Sequence, residues 1–219
     1  MVHAKSHRIT GSRPLEAEGA VHPNGVFAVF VASTAAVTGS YVLGAMTLSL
    51  GAQVAHDVVA SSNALVNGGT IALFALASAL ATVPARKLAA GRVILSGGVT
   101  AIVSSALLAL AAIEHSLSLY MLAQFSAGAA YSWLLLGGLT LINAHLPVTH
   151  RAATLSALFL VAYLAQAVVA LSLGKIATFY GLTTAVDIGV ATIAVLALVT
   201  LLLDLVRQRT VLKRSRKAL

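Results

Sequence analysis

The chain has 219 residues, of which 59% are hydrophobic and 9% charged, with a formal net charge of +8 and a mean hydropathy of +0.95. Soluble domains carry about 25% charged residues, so the composition excludes a soluble globular protein and points to an all-α, polytopic membrane protein. The basic residues cluster in terminal and loop positions beside apolar runs, which excludes a nucleic-acid surface, and the absence of cysteine excludes disulfides, thiol catalysis and Cys-based metal sites.

Residues 1–25 are polar and mixed in charge, with Lys5, Arg8, Arg13, Glu16 and Glu18, and read as a cytoplasmic tail or linker remnant. His3, His7 and His22 match no compact metal-ligand spacing, so no metal is expected. The tail holds no apolar stretch, so the first span is expected to do the targeting. A six-helix transmembrane domain is expected over 26–206. Its spans are Val26–Leu50, Asn63–Val83, Val93–Ile113, Leu117–Ala144, Ala152–Leu173 and Leu182–Val206. Each is near or above the roughly 20 residues that cross a bilayer as a helix. Loops are expected at Gly51–Ser62, Pro84–Arg92, Glu114–Ser116, His145–Arg151 and Gly174–Gly181, followed by a basic cytoplasmic tail over 207–219.

Charge sets the threading. Arg86, Lys87 and Arg92 form the one basic cluster between long apolar runs, and basic residues near span ends favour the cytoplasm. With both termini cytoplasmic, Lys175 is the single Lys or Arg on the other side. Tyr120 and Tyr180 then fall near the outer boundary, where amphipathic rings are favoured. Weak matches between spans 1 and 4 (Val42–Leu48 on Leu135–Leu141) and spans 2 and 5 (Ala72–Phe74 on Ala157–Phe159) suggest an inverted three-plus-three repeat.

Side-chain amides, Tyr and Trp fall on spans 1, 2, 4 and 5 alone. Helical spacing places Thr34, Thr38, Tyr41 and Ala45 on one face of span 1, and Asn63, Asn67, Thr70, Phe74 and Ser78 on one face of span 2. It does the same for Gln124, Gly128, Tyr131 and Leu135 in span 4, and for Ser156, Phe159, Tyr163, Gln166 and Ala170 in span 5. Polar groups in hydrocarbon face other helices or a wet cavity. Two readings stand: these helices line a solute path with spans 3 and 6 as scaffold, or the groups bond between helices and bind nothing. The candidate cavity residues are Tyr41, Asn67, Gln124, Tyr131, Trp133, Tyr163 and Gln166. Asp187 is the one carboxylate inside a span clear of the inner boundary, hence a candidate coupling group, while Asp204 reads as a surface pair with Arg207. No GxSxG, HExxH or Walker A string is present, so no catalytic residue or cofactor is expected.

Six spans, both ends inside, a basic loop after span 2 and an Arg just before span 5 together resemble one half of a major facilitator superfamily transporter, over residues 26–206. Arg86, Gly91 and Arg92 are similar to that family's G-x-x-x-D-R-x-G-R-R loop, with stretched spacing and without the acidic residue. Gln124 stands where N-terminal halves carry an Arg, and the Gly-Pro signature is missing from Tyr163–Gly174. The pattern therefore looks like a C-terminal half, spans 7 to 12. The resemblance implies a plasma (inner) membrane carrier of a small solute, an efflux protein in kind, working by alternating access. Its cavity-lining helices would be the first, second, fourth and fifth. Arg86, Lys87, Gly91 and Arg92 would act as a gating loop as well as a topology signal. It also implies a second six-helix half as partner, from a homodimer, a separate chain or an N-terminal half. A stand-alone six-span exporter and a non-transporting membrane protein or fragment remain as alternatives.

Overall fold

A computed structural model describes residues 23–58 and 62–217. The chain is a membrane protein of six helices, each long and apolar enough to span a bilayer, with no strand among the described residues. The helices are α1 (Pro23–Gln53), α2 (Ala64–Ala85), α3 (Ala90–Ile113), α4 (Leu117–His145), α5 (Val148–Tyr180) and α6 (Leu182–Lys217), and α1 continues as a π-helical turn over Val54–Val58. Alternate helices run in opposite directions, so the bundle has two ends. Arg86, Lys87, Arg92, Arg151, Arg207 and Arg209 lie at one, the basic end, and Asp57, Glu114, Lys175 and Tyr180 at the other, the distal end.

Local chemistry explains the turns. The Asn63 side chain accepts from the Leu65 and Val66 amides and so caps α2, and Ser116 caps α4 through the Leu119 amide. Gly181 takes φ +91°, a left-handed value that glycine adopts without a Cβ penalty, and turns the chain straight from α5 into α6. The helices outrun the expected spans. α1 continues past Gly51, α5 runs through Gly174 and Lys175 to Tyr180, and only Leu146 and Pro147 separate α4 from α5. α2 carries Pro84 inside its last turn. Within the expected 207–219 tail, α6 continues as helix to Lys217. Of the expected 1–25 tail, Pro23–Gly25 begin α1, and the rest lies outside the described residues.

Packing is centred on α1 and α4. α2 and α3 pack against α4, α5 and α6 pack against α1, and α3 and α6 meet behind them. In a bilayer, helices gain nothing from excluding water against each other, so close van der Waals approach decides their association. Gly128 of α4 lies against the Phe74 carbonyl of α2, where a Cβ would stand 2.2 Å from that oxygen. Gly137 meets Ile94 of α3, and Gly138 meets Ser33 and Val37 of α1. One helix thus touches three neighbours at backbone distance. α5, by contrast, is the least buried of the six. Its exposed Leu160, Leu164, Val168 and Leu171, with Leu76, Leu80 and Val83 of α2, leave these two helices covered on one side only.

Gly128→Ala forces α2 away from α4 and costs about 1–3 kcal/mol or more. The thermal midpoint of the detergent-solubilised protein is expected to fall, while Gly69→Ala, whose Cβ would meet nothing within 4 Å, leaves it unchanged. Equal midpoints for the two variants would remove the α2–α4 contact from this account.

Candidate functional site

Four helices of this bundle surround one mid-depth cavity of about 460 Å³. α1 contributes Tyr41, Gly44, Ala45 and Leu48, α2 contributes Phe74, Ala75 and Ser78, α4 contributes Tyr131, and α5 contributes Tyr163 and Gln166. Tyr41, Phe74, Tyr131 and Tyr163 each lie close to the middle of their helix, which is why their rings converge at one depth. They form two T-shaped pairs: Tyr41 with Tyr163, centroids 4.9 Å apart, and Phe74 with Tyr131, 5.6 Å apart. The Tyr41 hydroxyl donates to the Tyr163 hydroxyl over 3.4 Å. Gly44 makes room for the Tyr131 ring, which lies 3.0 Å from where a Cβ would be. No hydrogen bond among the described residues engages the Gln166 amide, so it is offered to the cavity.

A second cavity of about 480 Å³ lies toward the distal end, lined by Ser49, Leu50, Gln53 and Asp57 of the α1 arm, by Ala170, Gly174, Ala177 and Thr178 of α5 and by Leu182 of α6. Leu48 and Ser49 are neighbours in sequence, and Gln166 and Ala170 are one helical turn apart, so the two spaces share one wall. Thr38 and Thr34, on the Tyr41 face of α1, hold buried hydroxyls with no partner.

Of the seven residues expected to line a path, Tyr41, Tyr131, Tyr163 and Gln166 come together and three do not. Gln124 and Asn67 are buried between α2 and α4 nearer the distal end. The Gln124 amide donates to the Tyr120 hydroxyl (2.6 Å), which donates to the Gly51 carbonyl (2.7 Å). This ties α4 to α1 just before the π turn, where the helical ladder changes register. Gln124 also borders a space of about 30 Å³, room for about one water. Tyr120 is therefore fully buried and is not the boundary ring its position suggested. Trp133 bonds the Ala81 carbonyl of α2 over 2.8 Å, beside a Thr82–Ser132 contact of 2.7 Å. Phe74, absent from the seven, completes the ring set, and its helical register with Asn67 and Thr70 was the available signal.

Asp187 is exposed on α6 and lines neither cavity. In the basic loop Arg86, Lys87 and Arg92 are exposed and Gly91 half-buried. Gly91 abuts a network that sequence reading placed on the surface. Asp204 and Arg207 are buried, with Arg207 Nε and Nη2 donating to one Asp204 oxygen at 2.9 and 2.6 Å and Gln208 donating to the other. A Cβ at Gly91 would lie 3.1 Å from Arg207 Nη2 and 3.6 Å from Asp204 Oδ2. Asp204 of α6 thus lies beside Gly91 at the start of α3.

Set against known protein families, characterised proteins and solved structures, the chain finds no match.

Two outcomes follow from this geometry. On the Cys-free background, Cys at 163 and 166 should react with a charged, water-soluble thiol reagent, whereas Cys at 124 (buried) and 198 (exposed toward lipid) should not. Labelling of position 124 as fast as 163 would contradict the division into cavity and tie. Asp204→Ala removes the buried acceptor of three donors and is expected to lower the thermal midpoint. Asp204→Leu combined with Arg207→Met should recover most of that loss in thermal midpoint.

Proposed function

We propose that this bundle is one half of a secondary transporter of the major facilitator type, moving a small solute across the plasma membrane by alternating access. The observation that carries the reading is the mid-depth cavity. It is built from α1, α2, α4 and α5, while α3 and α6 stand behind as scaffold and contribute nothing to its wall. Midplane sites with a scaffold behind them are the working arrangement of such carriers.

The asymmetry of the cleft supports the same reading. A second cavity lies toward the distal end, whereas toward the basic end the hydroxyls of Thr38 and Thr34 are buried. With basic residues cytoplasmic, both termini lie inside and this conformation faces outward. An inward-facing state would open the Thr34–Thr38 face of α1 and close the distal cavity. The packing supports an inverted three-plus-three repeat: α2 and α3 lie on α4 as α5 and α6 lie on α1. A second six-helix body across the uncovered faces of α2 and α5 would complete the cavity wall.

Alternating access makes a definite prediction. Gln166→Cys should be labelled by an impermeant reagent added outside intact cells, and separately from the cytoplasmic side in inside-out vesicles. Thr38→Cys should be reached only from the cytoplasmic side. Labelling of position 166 from one side alone, in every condition tried, would rule out alternating access and leave a structural membrane protein.

A further inference from the structure

The wall of the mid-depth cavity is chemically narrow. Four aromatic rings face it from four helices, together with one amide, Ser78 and small apolar side chains, and no lining residue is charged. In a T-shaped pair one ring offers its edge, so that ring keeps both faces free of its mate. The Tyr41–Tyr163 and Phe74–Tyr131 pairs both line the space, and Phe159 backs the first pair at centroid distances of 6.1 and 6.3 Å. Ring faces carry negative charge density and attract cations, most strongly where water is excluded. An anion would find no positive partner here and would lose its hydration for nothing. A metal ion would need a close cage of oxygens, which a space of this size does not provide.

The distal cavity adds an independent observation. It is more polar, and its one charged lining residue is a carboxylate, Asp57. Asp57, bonded to His56, lines this distal cavity on the helical arm that carries Tyr41 further along. A carboxylate at the entrance of a low-dielectric cleft raises the local concentration of cations and repels anions.

We propose that the cavity binds an organic monocation of the quaternary or bulky tertiary ammonium class, drawn in past Asp57 and held between the two ring pairs. The volume of about 460 Å³ suits an ion carrying several alkyl or aryl groups. The Tyr hydroxyls and the Gln166 amide then bond polar substituents or retained water. This assignment rests on the mid-depth cavity being the solute site of the proposed carrier.

The test uses the full chain in nanodiscs, titrated calorimetrically with benzyltrimethylammonium, its uncharged carbon analogue neopentylbenzene, and glucose, with empty nanodiscs subtracted. Saturable binding of the cation alone is expected. Tyr163→Phe keeps the ring and should bind within about threefold of the parent. Tyr163→Leu and Phe74→Leu should each weaken binding about tenfold. Tyr163 is exposed, so its replacement does not threaten folding, and a monodisperse elution profile confirms this. Asp57→Asn should weaken binding at low salt and approach the parent at high salt, as screening removes the long-range attraction. No saturable cation binding, equal binding of neopentylbenzene or glucose, or an unchanged Tyr163→Leu would each overturn the assignment. The carrier reading fails separately: saturable cation binding without alternating labelling at position 166 would sink transport and leave the site. Alternating labelling together with glucose binding would do the reverse.

Discussion

Close backbone approach along α4 is the constraint from which the rest of the bundle follows. Lipid chains are as apolar as leucine, so the helices need contact surfaces that lipid cannot match. Gly128, Gly137 and Gly138 supply them on three sides of α4, against α2, α3 and α1. α1 in turn buries Ala32, Ala36 and Val37. With α1 and α4 enclosed in this way, α2 and α5 each hold to one main central helix, α4 and α1 respectively, and stay apart from one another. The cavity is the space left between them. Its depth is set by where the rings fall along their helices, and its width by the α2–α4 and α1–α5 contacts.

The same helices carry two kinds of polar group, and sequence separates them poorly. Six spans, most of their turns and the absence of amides, Tyr and Trp from the expected third and sixth spans were legible, because hydropathy and the 3.6-residue period act through the chain alone. Helix ends were less so. Gly51 and Gly174 read as loop glycines, yet membrane helices tolerate glycine where backbone bonds continue, and both helices run on. Tyr131 and Gln124 share a face of α4 on paper. In the bundle they lie two turns apart in depth, and what stands opposite differs: Gly44 and an open cleft for Tyr131, Tyr120 and Gly51 for Gln124. Trp133 likewise turns its indole to the Ala81 carbonyl. A fraction of a helical turn and the identity of the neighbour decide between lining and tying, and neither is encoded locally.

The Asp204 network shows the limit from the charged side. An acid three residues before an arginine has the spacing of a solvent-exposed helix pair. Here α6 crosses the start of α3 at Gly91, and the absence of a side chain there lets the pair be covered. Burial removes the water that would otherwise satisfy the carboxylate, and three donors from Arg207 and Gln208 replace it. The pair therefore packs against the start of α3 at the basic end, a placement that no reading of α6 by itself would assign.

The uncovered side of the bundle can be argued from Gln166. Its amide has two N–H donors and a carbonyl, and the described chain engages none of them. Leaving such a group in hydrocarbon costs several kcal/mol, and lipid offers it no partner. Leu164 and Val168, on the same helix, pay no such penalty and can face lipid directly. The boundary between lipid and something wetter must then run along α5 between these residues and the Tyr163–Gln166 face. Water reaching in from the distal cavity satisfies the amide, provided that lipid is kept out of the cleft by a wall on its open side. One six-helix bundle supplies only part of that wall, and it is this polar residue on the open side that motivates the proposal of a second body across α2 and α5.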